Sequence, residues 1–268
     1  MPSNFAGSIW ARAPSAAGDC GRTRYTRGRI ATRRLDYGRF DHGAQYFTAR
    51  DLARELTVSA GIRIVSVRRV DAKWTLVADD GFEASDFDLL VSAVPAPQAP
   101  PFLTASTEFT LHAQRARFKP CHALMIRFEA PVEADFDAAF VKQSALGWVA
   151  HDSSKPSRET ANAWGMHSTA EWSRANLDRQ ADDVLEMLTE EFATALARKL
   201  PGVTGAAVHR WLYARVVDPR PESRLWDAAQ GLGVCGDWLQ GDRIEDAFLS
   251  AQRLAEAIRA SRADRVTV

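Results

Sequence analysis

Long apolar runs are missing from this 268-residue chain: nothing approaches the ~18 apolar residues of a conventional membrane-spanning helix, which excludes one. Cysteine is scarce. Cys20, Cys121 and Cys235 are odd in number and far apart, so they indicate neither a disulfide framework nor a zinc site, and a reducing cytoplasm suits them. There is no excess of either charge, with 34 basic against 34 acidic residues, so no global field recruits nucleic acid or an anionic membrane. Lysine is nearly absent: 29 of the 34 basic residues are arginine, a trace of GC-rich coding rather than of function. No spacing specifies a Ser–His–Asp or Cys–His arrangement, no metal motif occurs, and there are no internal repeats. What remains is an ordinary globular composition, 46% apolar and 25% charged, long enough for one large domain or two intertwined ones.

The most informative stretch is Val234-Cys235-Gly236-Asp237-Trp238, followed by Gly241-Asp242-Arg243-Ile244-Glu245-Asp246-Ala247. Its apolar approach predicts a buried strand that ends at Gly236, with Asp237 at the carboxyl end, a short loop, and a helix from near Arg243. Such a step can hold a polar cofactor. A glycine permits close approach, a carboxylate accepts hydrogen bonds from hydroxyls, and unpaired helix N–H groups favour negative charge. The alternative is a plain strand-to-helix turn with an aspartate in its loop.

A second segment runs from Gly28-Arg29-Ile30-Ala31-Thr32-Arg33-Arg34 into Phe40-Asp41-His42-Gly43-Ala44-Gln45-Tyr46-Phe47-Thr48. Three more follow in order: Val91-Ser92-Ala93-Val94-Pro95-Ala96-Pro97-Gln98, Trp172-Ser173-Arg174-Ala175-Asn176-Leu177 and His209-Arg210-Trp211-Leu212-Tyr213-Ala214-Arg215. Together these five regions resemble the renalase-like branch of the flavin amine oxidase superfamily, and the resemblance runs from Gly28 to Ile258. It implies an α/β fold: an FAD-binding domain of the glutathione-reductase type, here with an incomplete amino terminus, and an interleaved α+β substrate domain. The expected division is 28–98 with 216–262 for FAD and 99–215 for substrate, after an atypical, disordered 1–27.

The resemblance also implies site residues. Arg29 would reach the FAD pyrophosphate as a charge-assisted donor, and Gln45 and Tyr46 would line the flavin ring. Ile64 would offer backbone hydrogen bonds to the adenine. Gly236 and Asp237 would meet the ribityl–pyrophosphate region, and the helix start at Ile244, Glu245 and Ala247 would face the N1–O2 edge of the flavin. Trp211 and Tyr213 alternate on a predicted strand, so they share a face that is either a substrate wall or packed core. His167, like His209, is either a pocket residue or a hydrogen-bonded structural histidine. No protein nucleophile is needed, because the cofactor carries the chemistry.

Two departures from the family pattern stand out. The chain opens Met1-Pro2-Ser3-Asn4-Phe5-Ala6-Gly7-Ser8-Ile9-Trp10, without the strand and Gly-x-Gly-x-x-Gly that cradle a dinucleotide pyrophosphate. Residues 1–39 hold eight arginines against Asp19 and Asp36 alone. A transit peptide, a basic nucleic-acid arm and a frame change relative to an ancestral gene are the three readings, the last favoured by the abrupt onset of family-like sequence at Gly28. The second departure is at Ala49-Arg50-Asp51-Leu52, where several dozen family residues that contribute substrate-domain strands are skipped.

The remainder predicts a meander over Ile62–Val67, Lys73–Ala78 and a return near Phe82, turned at Asp79-Asp80-Gly81. A buried strand over Asp88–Val94 is stopped by Pro95, and the proline-rich Pro95–Pro101 suits a crossing between domains. Strands of a second sheet are expected at Ala123–Phe128, Ala139–Val141, Gly147–Val149 and Ala163–Met166. Helical spacing covers Ala181–Leu200, ended by Pro201-Gly202, and again Ile244–Ile258. The expected activity is hydride transfer from a small reduced substrate to FAD and on to dioxygen, with dihydronicotinamide isomers of NAD(P) as the substrates the resemblance implies. A flavin amine oxidase is one alternative. An inactive truncated or frameshifted remnant that cannot hold FAD is the other.

Overall fold

The computed structural model describes residues 10–12, 32–41, 57–59, 61–155, 158, 161–219 and 222–266. In chain order its first strands are β1 (Trp10–Arg12), β2 (Thr32–Leu35), β3 (Gly38–Asp41), β4 (Thr57–Ser59), β5 (Ile64–Val70), β6 (Lys73–Ala78), β7 (Glu83–Phe87) and β8 (Leu90–Ser92). Helix α1 (Thr107–Arg115) precedes β9 (Arg117–Phe128), β10 (Ala138–Phe140), β11 (Leu146–His151) and β12 (Ala163–Ser168). Then come α2 (Ala170–Ala175), α3 (Ala181–Leu196), β13 (Val203–Val217), β14 (Leu225–Asp227), β15 (Leu232–Val234) and α4 (Ile244–Val266). The chain divides into two compact units: Met1–Thr23 with Thr48–Arg117 and Val216–Val268, and Arg24–Phe47 with Phe118–Arg215.

In the first unit, β5, β6 and β7 form the predicted antiparallel meander, and β14, β15 and β8 form a second small sheet. There β15 runs parallel to β8, with Val234 level with Ser92, and antiparallel to β14. Ile64 and Val67 of β5 turn inward on either side of a register shift at Ile64–Ser66, with Ile64 opposite the buried Ala78 and Val67 opposite the buried Leu76 of the neighbouring strand. The meander is tied to the β14–β15 turn by polar bonds. The Trp74 indole donates to the Gln230 carbonyl at 3.0 Å, and Arg69 donates to the Gln230 side chain at 2.7 Å. Helix α4 lies against β15, where Leu254 methyls approach Gly233 closely enough that a side chain there would meet them at 3.1 Å.

One expectation for this unit is corrected, and one helix was not expected. Over Asp88–Val94 only Leu90–Ser92 is strand, and Val91 faces outward while Ser92 is buried, so the stretch is not buried throughout. The proline-rich run folds as two 3-10 turns, Ala96–Gln98 and Pro100–Phe102, and is followed by α1, which the sequence reading missed. Ser106 caps α1 by accepting from the Phe109 N–H at 3.3 Å.

The second unit is built on a five-stranded sheet, ordered β10-β11-β12-β9-β13, whose one face is covered by α3. Val184, Leu188 and Phe192 of α3 bury their side chains against Leu124, Ile126 and Trp164. Each such side chain contributes ~1.5–3 kcal/mol through removal from water. Asp182 and Asp183 sit in the first turn of α3, where the helix dipole favours negative charge. The helix ends earlier than expected. Ala197 takes a left-handed conformation at φ 51°, and the N–H of Arg198 bonds the Ala193 carbonyl, so the chain leaves the helix before Pro201-Gly202 is reached.

Candidate functional site

Strand β15 delivers the chain to Gly236 beside the carboxyl end of β8, and the Cys235 N–H bonds the Ser92 carbonyl at 3.1 Å. In an open parallel arrangement ligands bind at the carboxyl ends of strands. The expected loop after Gly236 is a 3-10 turn over Asp237–Leu239, closed by the Asp237 carbonyl, which accepts from Gln240 at 2.8 Å and Gly241 at 2.7 Å. Asp237 is buried, at 5% exposure. The N–H of Gly236 is engaged by the Ser250 hydroxyl of α4 at 3.0 Å, and that hydroxyl in turn donates to the Ser223 carbonyl. The space above Gly236 belongs to the Trp238 indole, which a Cβ would meet at 2.9 Å.

The start of α4 follows at Ile244, one residue from the position expected. Asp246 in its first turn reaches back to accept the Arg243 N–H at 3.0 Å, which is half of a capping box. Gly241 makes room for that carboxylate, since any side chain there would collide with it. The N–H groups of Ile244 and Glu245 have no acceptor within the helix, as for any first turn, and carry the positive end of the dipole. Ala247 stands one turn further in, its N–H bonded to the Arg243 carbonyl. Among the described residues at the same strand ends, the Ser92 hydroxyl and the Trp238 indole nitrogen are buried without a hydrogen-bond partner, in residues only 5% and 1% exposed. Burial pushes the neighbouring Cys235 thiol up to about 11, which keeps it protonated and uncharged.

Ile64 begins β5, which is paired on one side by β6. The Asp79 N–H bonds the Arg63 carbonyl at 3.0 Å, so strand alternation turns the Ile64 N–H and carbonyl away from β6. That backbone edge is free of the ladder. Arg29, Gln45 and Tyr46 lie outside the described residues.

His167, Trp211 and Tyr213 belong to the second unit. Trp164 and Met166 of β12 point to α3, so alternation puts His167 on the opposite face. On β13, Ala206 and Val208 pack toward α3, whereas Ala207 packs with Met125 behind the sheet. His209, Trp211 and Tyr213 continue that rear face, and the His209 and Trp211 rings meet at 4.3 Å. All three predicted residues are half-buried there.

A histidine the sequence reading passed over is the more constrained one. His122 of β9 is 2% exposed and edge-on to Trp172 at 5.7 Å. Its backbone N–H donates to the hydroxyls of Ser168 and Ser173, each at 3.0 Å. Burial, and secondarily the Arg210 charge, lower its pKa below the usual 6.5 and hold it neutral. Its signal was a single histidine heading the apolar run Ala123–Ile126. Beside it, burial pushes the Cys121 thiol up to about 12.

No family model matches the chain. Among solved structures it is similar to a candidate protoporphyrinogen oxidase from Exiguobacterium sp. 255-15, with 14% identity and a TM-score of 0.58 over 74% of this chain and 46% of that one. An oxidoreductase from Methanosarcina mazei is similar at 17% identity and a TM-score of 0.51, over 73% of this chain and 49% of that one. A putrescine oxidase variant redesigned at its cofactor-binding site gives 12% identity and a TM-score of 0.53, over 75% and 48%. The chain spans about half the length of these structures. At such identities the likeness is one of fold: a mixed helix-and-sheet architecture shared with oxidases and an oxidoreductase over about three quarters of this chain.

Proposed function

We propose that this protein is an FAD-dependent oxidoreductase, which takes a hydride from a small reduced substrate and delivers the electrons to dioxygen, yielding hydrogen peroxide. The observation that carries the reading is the meeting of three features at one end of the β8–β15 pair: parallel strand ends, the buried Asp237, and the start of α4. A carboxylate, helix N–H groups and partnerless buried polar atoms suit a ligand that is both hydroxylated and anionic. When bound, FAD supplies the hydride acceptor. Asp237 accepts hydrogen bonds from the hydroxyls of the ribityl–pyrophosphate region, next to Gly236. The N–H groups of Ile244 and Glu245, with Ala247 behind them, hold the electron-rich N1–O2 edge of the ring. The outward backbone of Ile64 recognises the adenine, and Arg29, Gln45 and Tyr46 complete the cofactor set in this reading. Trp211, Tyr213 and His167 form the substrate wall.

In this reading residues 28–98 and 216–262 serve the cofactor and 99–215 the substrate. The sequence resemblance names dihydronicotinamide isomers of NAD(P) as the substrate class. A second reading, oxidation of a small amine, draws support from the fold shared with putrescine oxidase. The test is to purify the full chain, record its visible spectrum and titrate it with FAD. A flavin band near stoichiometric occupancy is expected, bleached anaerobically by a dihydronicotinamide isomer rather than by putrescine. A colourless chain that ignores added FAD refutes the proposal and favours the inactive remnant.

A further inference from the structure

We propose that the Ser92 hydroxyl and the Trp238 indole N–H are ligand-binding groups of the site at the β8–β15 strand ends; the identity of the ligand as FAD rests on the reading above. Several polar groups around Gly236 already have a protein partner: the Gly236 N–H takes Ser250, the Ser250 hydroxyl takes Ser223, and the Ser92 carbonyl takes Cys235. The Asp237 carbonyl holds two N–H groups, and Asp246 holds Arg243. The Ser92 hydroxyl and the Trp238 indole nitrogen are among the buried side-chain atoms left without a hydrogen-bond partner, in residues nine-tenths or more buried. Native proteins rarely leave such atoms unpaired unless a ligand or bound water completes them.

Ser92 belongs to the strand end beside the turn, and Trp238 to the turn itself. Ser92 ends β8 level with Val234, two residues before Gly236. The indole nitrogen of Trp238 lies 2.9 Å from where a Gly236 side chain would begin. An indole N–H donates and cannot accept, so its partner is an acceptor oxygen; a serine hydroxyl can serve either role. A phosphate, carbonyl or hydroxyl oxygen of a nucleotide cofactor meets both demands. Gly236, with its own N–H engaged, then acts by admitting the indole rather than by bonding the ligand.

The experiment compares the full chain with Trp238→Phe and Ser92→Ala, by thermal midpoint without ligand and by calorimetric titration with FAD, FMN and NADH. Each variant deletes a partnerless atom, so the unliganded midpoint should hold or rise, while FAD affinity should fall about tenfold. Ser92→Ala carries the test if Trp238→Phe fails to fold. FAD binding by the foldable variants equal to wild type overturns this inference and leaves the flavoprotein reading standing. A wild type that ignores FAD but binds FMN or NADH, with that binding lost in the variants, does the reverse. Binding of none of the three by wild type overturns both.

Discussion

The carboxylate of Asp246 occupies the space that a side chain on Gly241 would need, and from there it caps the N–H of Arg243. One glycine thus sets the direction in which α4 begins. Gly241→Ala should expel Asp246, fray the first turn and cost ~1–3 kcal/mol of stability, read by urea denaturation. Asp246→Ala should cost about 1 kcal/mol by losing the same cap. If alanine at Gly241 is neutral, the glycine is not what orients the helix.

Asp237 separates its structural and functional roles. The 3-10 turn is closed through its backbone carbonyl, which any residue retains. Asp237→Ala should therefore leave a folded chain whose FAD affinity drops at least about tenfold, since hydrogen bonds to a charged group contribute ~1.5–3 kcal/mol. Equilibrium dialysis reads the change, and unaltered affinity removes Asp237 from the site.

His122 predicts how stability depends on pH. Its native pKa is lowered, first by burial and then by Arg210, whereas the unfolded imidazole titrates near 6.5. Below that value the unfolded chain binds a proton that the native chain refuses. Stability should fall as pH drops through 6.5 toward the lowered native pKa, and be fully present above it. His122→Gln should flatten that part of the curve between pH 7.5 and pH 5 in urea melts. A wild-type curve that parallels the variant's would contradict the assignment.

Cys235 should be inert in the native state. Its pKa of about 11 leaves little thiolate at pH 8, so iodoacetamide labelling detected by mass should need denaturant. The sign for stability is opposite to that of His122: as pH climbs past about 9 the unfolded thiol ionises first, and native stability declines until the folded thiol follows. Cys235→Ala should remove that share of the decline. Rapid labelling of the native chain at pH 8 would show the thiol is not buried as described.

How much of this could be seen in the chain beforehand depended on the range of the forces involved. The β15 strand, the turn at Gly236 and the helix from Ile244 were legible because apolar spacing and a Gly-Asp step are local signals. The meander was legible for the same reason, through β-branched residues in β5 and the Asp79-Asp80-Gly81 turn that joins β6 to β7. Helix α1 was not, since only Phe109 and Ala113 are buried on it and no stripe advertises it. The end of α3 was misread because Ala197 adopts a left-handed conformation that its residue type does not announce.

Sequence alone determined where β15, α3 and α4 begin, that Asp237 stands between a strand and a helix, and that Trp211 and Tyr213 share a face. These follow from periodicity and from residue chemistry within a few positions. Tertiary structure alone decided that Gly236 shelters the Trp238 indole, that the Ser92 hydroxyl and the Trp238 indole nitrogen lack protein partners, and that His122 is buried neutral among Ser168, Ser173 and Trp172. Those facts depend on groups brought together from distant parts of the chain, where packing and desolvation, which no short window of residues encodes, set the outcome.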